Sequence, residues 1–253
     1  ILASSFLEKF LYRVASRVVV ISPGMRRNLI RKGVPPNKIE TLHNWADVVR
    51  IQPLSRDNPF RHRHGLNGQF VVLFAGNHGY VSALETVVEA ACLLRDEPNV
   101  IFLFVGEGSV KSRLMLQVRQ HDLKNVRFLT TQPAESLPEL LASADLSLVT
   151  LRGALGELSV PSKTYSIMAS ARPILAAVPL DSEVATLIRE AGCGLWVAPD
   201  DPKSIAQGIR QIIADPEKRK DYGMNGRKYV EKYYHRSLLT SRYHELLKRV
   251  VDK

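Results

Sequence analysis

Apolar residues fall along this chain in two alternating rhythms, short continuous runs and longer stretches with helical spacing. From Phe70 onward the runs are Phe70 to Ala75, Val100 to Val105, Val126 to Leu129, Leu146 to Val149, Pro173 to Val178 and Leu195 to Val197. Runs this short and this uniformly apolar predict strands buried on both faces. Amphipathic stretches lie between them. Ser82 and Glu85 are spaced as a capping box ahead of a helix that buries Leu84, Val87, Val88 and Ala91. A second helix is expected from Asp181 with Val184, Leu187, Ile188 and Ala191 inside. A third has Asp201 as cap, Pro202 first, and Ile205, Ile209, Ile212 and Ile213 inward. Six strands alternating with helices predict an α/β fold with a doubly wound, six-stranded parallel sheet, whose ligand sits beyond the carboxyl ends of the strands.

The first fifty residues read helix, strand, helix, strand. Leu7, Phe10, Leu11 and Val14 keep helical spacing, Arg17 to Ile21 is a short strand, Ser22 caps a helix that Gly33 ends, and Ile39 to Trp45 is extended. Two strands do not make a covered α/β domain, so residues 1–51 are expected to be the tail of a preceding domain and a hinge. Residues 52–69 are rich in Pro, Asn, Arg and His and read as a linker at the start of a main domain spanning 52–235. Beyond it, Glu217 to Lys253 predicts two helices parted near His235. The last, in 236–253, carries Leu238, Tyr243, Leu246, Leu247 and Val250 on one side, an apolar stripe expected to pack back toward the first segment.

Composition adds less than pattern. The chain has 253 residues, 45% of them apolar and 24% charged, as in ordinary globular proteins. No apolar run reaches the roughly 18 residues of a spanning helix. Its two cysteines, Cys92 and Cys193, are no disulfide framework, which points to the cytoplasm. The net charge of +10 is carried in large part by Arg61 to His64 and by the run from Lys218 to Lys248. No recognition motif accompanies it, and the C-terminal cations alternate with aromatic residues at helical spacing, so nucleic acid is not the expected partner. An anionic ligand, or peripheral contact with the anionic inner face of a membrane, accounts for the sign equally well.

Candidate chemistry gathers in the strand-to-helix loops. Gly76, Asn77 and Gly79 follow the first strand of the main domain, Gly106, Glu107 and Gly108 the second, Thr130 the third. Glycines there let backbone approach a ligand, although each alone also makes an ordinary turn. After the fourth strand comes Gly153 to Ala176, GALGELSVPSKTYSIMASARPILA. With Val160 as N-cap and Pro161 at the first helical position, the amides of Ser162, Lys163 and Thr164 are left bare beside the Lys163 ammonium, which makes an anion site. A capped helix with one surface lysine is the alternative. His78 reads as a surface histidine, and Glu107 as either a hydroxyl ligand or a solvated turn residue.

Taken together these residues resemble the retaining, group-1 type glycosyltransferases of the GT-B fold, in which two Rossmann-like domains face each other across a cleft. Ser22-Pro23-Gly24-Met25, Gly33-Val34 and His43-Asn44-Trp45-Ala46-Asp47 look like the end of that family's N-terminal domain and its hinge. Gly76-Asn77-His78-Gly79, Val105-Gly106-Glu107-Gly108, Ala144-Asp145, Val160-Pro161-Ser162-Lys163 with Met168-Ala169, Ala191-Gly192-Cys193-Gly194 and Asp200-Asp201-Pro202 look like its donor-binding domain. The Pro-Ser-Lys version is similar to bacterial enzymes that add sugars to envelope polysaccharide precursors.

The resemblance implies a nucleoside-diphosphate sugar as donor, UDP-linked, a lipid-linked or polysaccharide acceptor, and no cofactor or metal. It places backbone at Gly76 to Gly79 and Gly106 to Gly108 along the sugar diphosphate and nucleoside, Leu129 and Thr130 at the base, and Ser162, Lys163 and Thr164 on the diphosphate. Lys163 is then the catalytic residue that stabilises the leaving group. The family's usual pair of glutamates eight positions apart is replaced by Leu158 and Ser166, while Glu157 and Tyr165 form a pair shifted by one. Basic residues usual after the first strand are missing from Gly79 to Ala83. A nucleotide-sugar epimerase of the same architecture, a dinucleotide oxidoreductase and a non-enzymatic Rossmann-like interaction module remain as other readings.

Overall fold

The computed structural model describes residues 2–153 and 159–252. The chain runs α1 (Leu2–Val14), β1 (Val18–Val20), α2 (Pro23–Arg31), β2 (Ile39–Thr41), α3 (Pro59–Arg63), β3 (Phe70–Ala75), α4 (Leu84–Leu93), β4 (Val100–Val105), α5 (Lys111–Gln120) and β5 (Val126–Leu129). It continues with α6 (Leu137–Ala142), β6 (Leu146–Thr150), α7 (Lys163–Ala169), β7 (Ile174–Ala177), α8 (Glu183–Ala191), β8 (Gly194–Val197), α9 (Pro202–Ala214), α10 (Pro216–Tyr233) and α11 (Arg236–Val251).

The six expected strands form one parallel sheet in the order β5-β4-β3-β6-β7-β8. Because strand side chains alternate, the sheet feeds two cores. On one face Val71, Leu73, Ile101, Leu103 and Val149 meet Leu140, Ile167 and Met168. On the other Val72, Phe74, Phe102 and Phe104 meet Leu84, Val88, Ile205 and Ile209. β3 and β4 pair along their whole length, whereas β3 and β6 pair through Val72 with Leu146 and Leu73 with Ser147. The order reverses between β3 and β6, and in a doubly wound sheet that is where a crevice opens.

β1 and β2 form a separate parallel pair over a small core of Val20, Leu29, Val34 and Ile39. α11 runs back to this segment. Tyr243 stands edge-on to Trp45, Arg249 approaches Glu40, and Ala46 exchanges backbone bonds with Tyr234 and Arg236. Leu239 and Leu246 turn inward, but Leu247 is 61% exposed.

Some local expectations fail for identifiable reasons. The stretch 52–69 is no free linker: Asn58 caps α3, and Phe60, Arg61 and Leu66 are buried in the main core. Arg61 reaches the carbonyls of Ser143 and Gln69 and the Asp145 carboxylate, which also accepts from the Val71 amide. Ser82 and Glu85 form no capping box. α4 begins after Ala83 in the left-handed region, with no side-chain cap; Ser82 donates to the Asn77 carbonyl and Glu85 pairs with Arg152 and Arg113. Ser182, one residue after the expected Asp181, caps α8. Ser22 and Asp201 cap as expected.

Candidate active site

The carboxyl ends of β3, β4 and β5 and the start of α7 enclose a cavity of about 700 Å³. Gly76 and Asn77 line it from the loop after β3, Gly106 and Glu107 from the loop after β4, and Thr131 to Ala134 from the loop after β5. Ser162, Lys163, Ser166 and Ile167 line it from α7, and Trp45 from the first segment.

The first two loops touch because their glycines allow it. A Cβ on Gly106 would collide with the Gly76 carbonyl, and one on Gly108 with the His78 carbonyl. Backbone bonds then join the loops, from His78 to the Glu107 carbonyl (2.8 Å) and from Val110 to the His78 carbonyl (3.0 Å). His78 is therefore not the surface residue expected. It is fully buried, edge-on to Phe104 and Phe128, and burial first, then the nearby Lys111 ammonium, pushes its pKa down to about 4. Its imidazole is neutral at physiological pH.

Lys111, which the sequence did not single out, bonds the Gly106 and Leu129 carbonyls at 2.9 and 3.3 Å and the Glu107 carboxylate at 2.7 Å. It ties the tips of β4 and β5 together and holds the cavity's carboxylate. Arg152 does similar work after β6. It donates to the Tyr80 carbonyl at 2.6 Å, lies over the Tyr80 ring and pairs with Glu85, pinning the loop after β3.

Lys163 is different. Its stem passes Gly76, where an added Cβ would sit 3.8 Å from the lysine Cδ, and its ammonium lies 3.3 Å from the centroid of Phe74. Among the described residues it has no carboxylate partner. Lys163 lines the cavity, and burial pushes its pKa down to about 7. A cation held over an aromatic face without a counter-ion is prepared to meet an anion.

The helix start itself is shorter than expected. α7 has seven residues with Ser162 at its cap position, while Val160 is packed in the core. The Thr164 and Tyr165 amides bond the carbonyls of Pro161 and Ser162, so only those of Ser162 and Lys163 stay bare among the described residues. Thr164 and Tyr165 are fully buried, Tyr165 against Tyr234. Gly79, Gly108, Thr130 and Pro161 border the site without lining the cavity. Glu157 and Leu158 lie outside the described residues. The structure thus brings together Gly76, Asn77, Gly106, Glu107, Ser162 and Lys163, and adds Thr131, Ser166 and Trp45. Trp45 stood inside the quoted hinge motif; for Lys111 the lysine four residues after Glu107 was the available signal.

The family model for glycosyl transferases group 1 matches residues 57–229, and that for a glycosyl transferase 4-like domain matches residues 2–45. The chain belongs to the group-1 glycosyl transferases. It is 31% identical over 235 residues to WcaI of Escherichia coli strain K12, named as a glycosyl transferase of colanic acid biosynthesis, covering 91% of this chain and 56% of WcaI. It is also 31% identical over 207 residues to the glycosyltransferase WbjE of Pseudomonas aeruginosa, covering 81% of this chain and 52% of that protein. This group-1 chain therefore spans about half the length of these curated relatives. Among solved structures, Anabaena HepE in complex with UDP-glucose superposes with a TM-score of 0.81 at 20% identity, over 94% of this chain and 65% of HepE. Sucrose-phosphate synthase of Thermosynechococcus elongatus gives 0.82 at 22% identity, over 100% and 62%. These neighbours show the GT-B fold. No described helix of this group-1 chain is long and apolar enough to cross a membrane.

Proposed function

We propose that this chain is the donor-binding part of a retaining glycosyltransferase, which moves a sugar from a nucleoside-diphosphate sugar, UDP-linked, to a polysaccharide or lipid-linked acceptor. In this reading residues 52–235 bind the donor, residues 1–51 belong to the acceptor domain and hinge, and residues 236–253 pack back toward them. The observation that carries it is Lys163, a cation without a carboxylate partner that lines the cavity at the strand tips. Departure of a nucleoside diphosphate builds negative charge on the leaving oxygen. An ammonium and the bare amides of Ser162 and Lys163 are placed to hold that charge, with no metal called for. HepE, solved with UDP-glucose, supports the donor class, and WcaI, named for colanic acid biosynthesis, supports a polysaccharide product.

An epimerase needs an acid and a base around the sugar. Glu107 is the only carboxylate that lines the cavity among the described residues, and Lys111 already holds it. Calorimetric titration of UDP and GDP against the wild type and Lys163→Ala tests the proposal. Binding by the wild type that weakens in the variant supports it, and equal binding by both removes Lys163 from the site.

A further inference from the structure

The cavity does not stop at the strand tips. On the face that carries α6 and α7 it continues below Ala75 to Leu73, two residues and about 7 Å down β3. There it forms a recess walled by Leu137, Leu140 and Leu141 of α6 and Ile167 of α7. Its floor is out of pattern. The strand positions around it, Val71, Ile101, Leu103 and Val149, are all apolar, but the residue set beside Leu73 by the β3–β6 register is Ser147. Ser147 lines the cavity at 1% exposure, and its hydroxyl has no hydrogen-bond partner. A buried hydroxyl left alone is a standing cost, and a ligand that reaches it removes that cost.

The shape and chemistry of the recess select one kind of occupant. Apolar walls suit a flat or apolar group, and the orphan hydroxyl asks for a partner at that group's far edge. An acyl chain would fill the walls and leave the hydroxyl unmet, whereas a nucleobase answers both. The path is continuous as well. Lys163 and Ser166 stand three residues, about 4.5 Å, apart along α7, so a nucleotide with its diphosphate at Lys163 passes Ser166 on the way down.

We infer that Ser147 is a specificity-determining residue, with the base of the nucleoside diphosphate lodged between α6 and α7 and its edge read by the Ser147 Oγ. The inference rests on the nucleotide-sugar reading above. The test titrates UDP, GDP and inorganic pyrophosphate against the full chain and its Ser147→Ala and Ser147→Leu variants. Ser147→Ala is expected to weaken UDP about 3- to 10-fold and to shift the UDP-to-GDP ratio, while pyrophosphate stays within about 2-fold. Ser147→Leu, which fills the floor, weakens UDP further. Ser147→Ala removes one oxygen and adds nothing, so it decides the question if the leucine variant does not fold. Unchanged UDP affinity in the variants, as for a recess filled by water or by an acyl chain, overturns the inference and leaves the nucleotide-sugar reading standing. Parallel loss of UDP and pyrophosphate also overturns it, since a structural role would do the same. A wild type that binds neither UDP nor GDP overturns both.

Discussion

Arg61 and Lys163 are both cations withdrawn from water, but their surroundings answer that charge differently. Arg61 is 1% exposed, meets the Asp145 carboxylate and two backbone carbonyls, and lines no described pocket. Lys163 meets an aromatic ring, a glycine and open cavity. The contrast teaches that burial of charge alone does not mark a functional residue; a buried charge whose counter-ion is missing does.

The comparison can be broken at either end. Arg61→Ala leaves the buried Asp145 carboxylate with only Arg56 and the Val71 amide, so it should cost about 3 kcal/mol in urea denaturation while the remaining folded protein binds UDP normally. A loss of UDP affinity out of proportion to stability would make Arg61 part of the site. Lys163→Ala should do the opposite, weakening UDP about 10- to 100-fold with little change in denaturation midpoint, since one charge-assisted contact is worth about 1.5–3 kcal/mol.

pH sharpens the same contrast. With its pKa lowered to about 7, Lys163 loses its proton as pH rises above that value in the free protein, and a bound diphosphate raises the pKa again. UDP affinity should therefore fall between about pH 7 and the higher pKa of the complex, and this fall should vanish in Lys163→Ala, as isothermal titration at several pH values would show. The smallest effect belongs to Ser82→Ala. Without a capping role it should change stability by less than about 0.5 kcal/mol, against about 1 kcal/mol for Ser22→Ala, whose hydroxyl caps α2.

These contrasts also separate what is legible in the sequence from what only the packing reveals. Strands β3 to β8 were legible as short apolar runs because the inner strands of a parallel sheet are covered on both faces, although the edge strands β5 and β8 are only partly buried. Helix starts were legible where one side chain acts alone, as at Ser22 and Asp201. At Ser82 and Glu85 the spacing was right, but Asn77, Arg152 and Arg113 competed for the same groups, and Arg152 is 67 residues away from Glu85 in the chain. Arg61 was hidden the same way: its carboxylate lies 84 residues on, so a polar stretch that looks like a connector is core. His78 was misjudged because its burial depends on Phe104 and Phe128, which belong to other strands. For the candidate site, the two glycine loops and Lys163 could be found from local motifs, whereas Lys111, Trp45 and Ser147 acquire meaning only from strand order and register.

One feature outside the cavity bears on movement. The Arg227 guanidinium on α10 bonds the carbonyls of Ile51, Ala169 and Val48 at 2.6, 2.7 and 3.0 Å, so residues 48–51 are riveted to the end of α7, the helix that begins at Lys163. That stretch is tied to the cavity as one piece. Any swing of the first segment against the main sheet must then bend upstream of Val48, where Ala46 lies against Tyr234 and Arg236 and two passages of the chain would flex side by side.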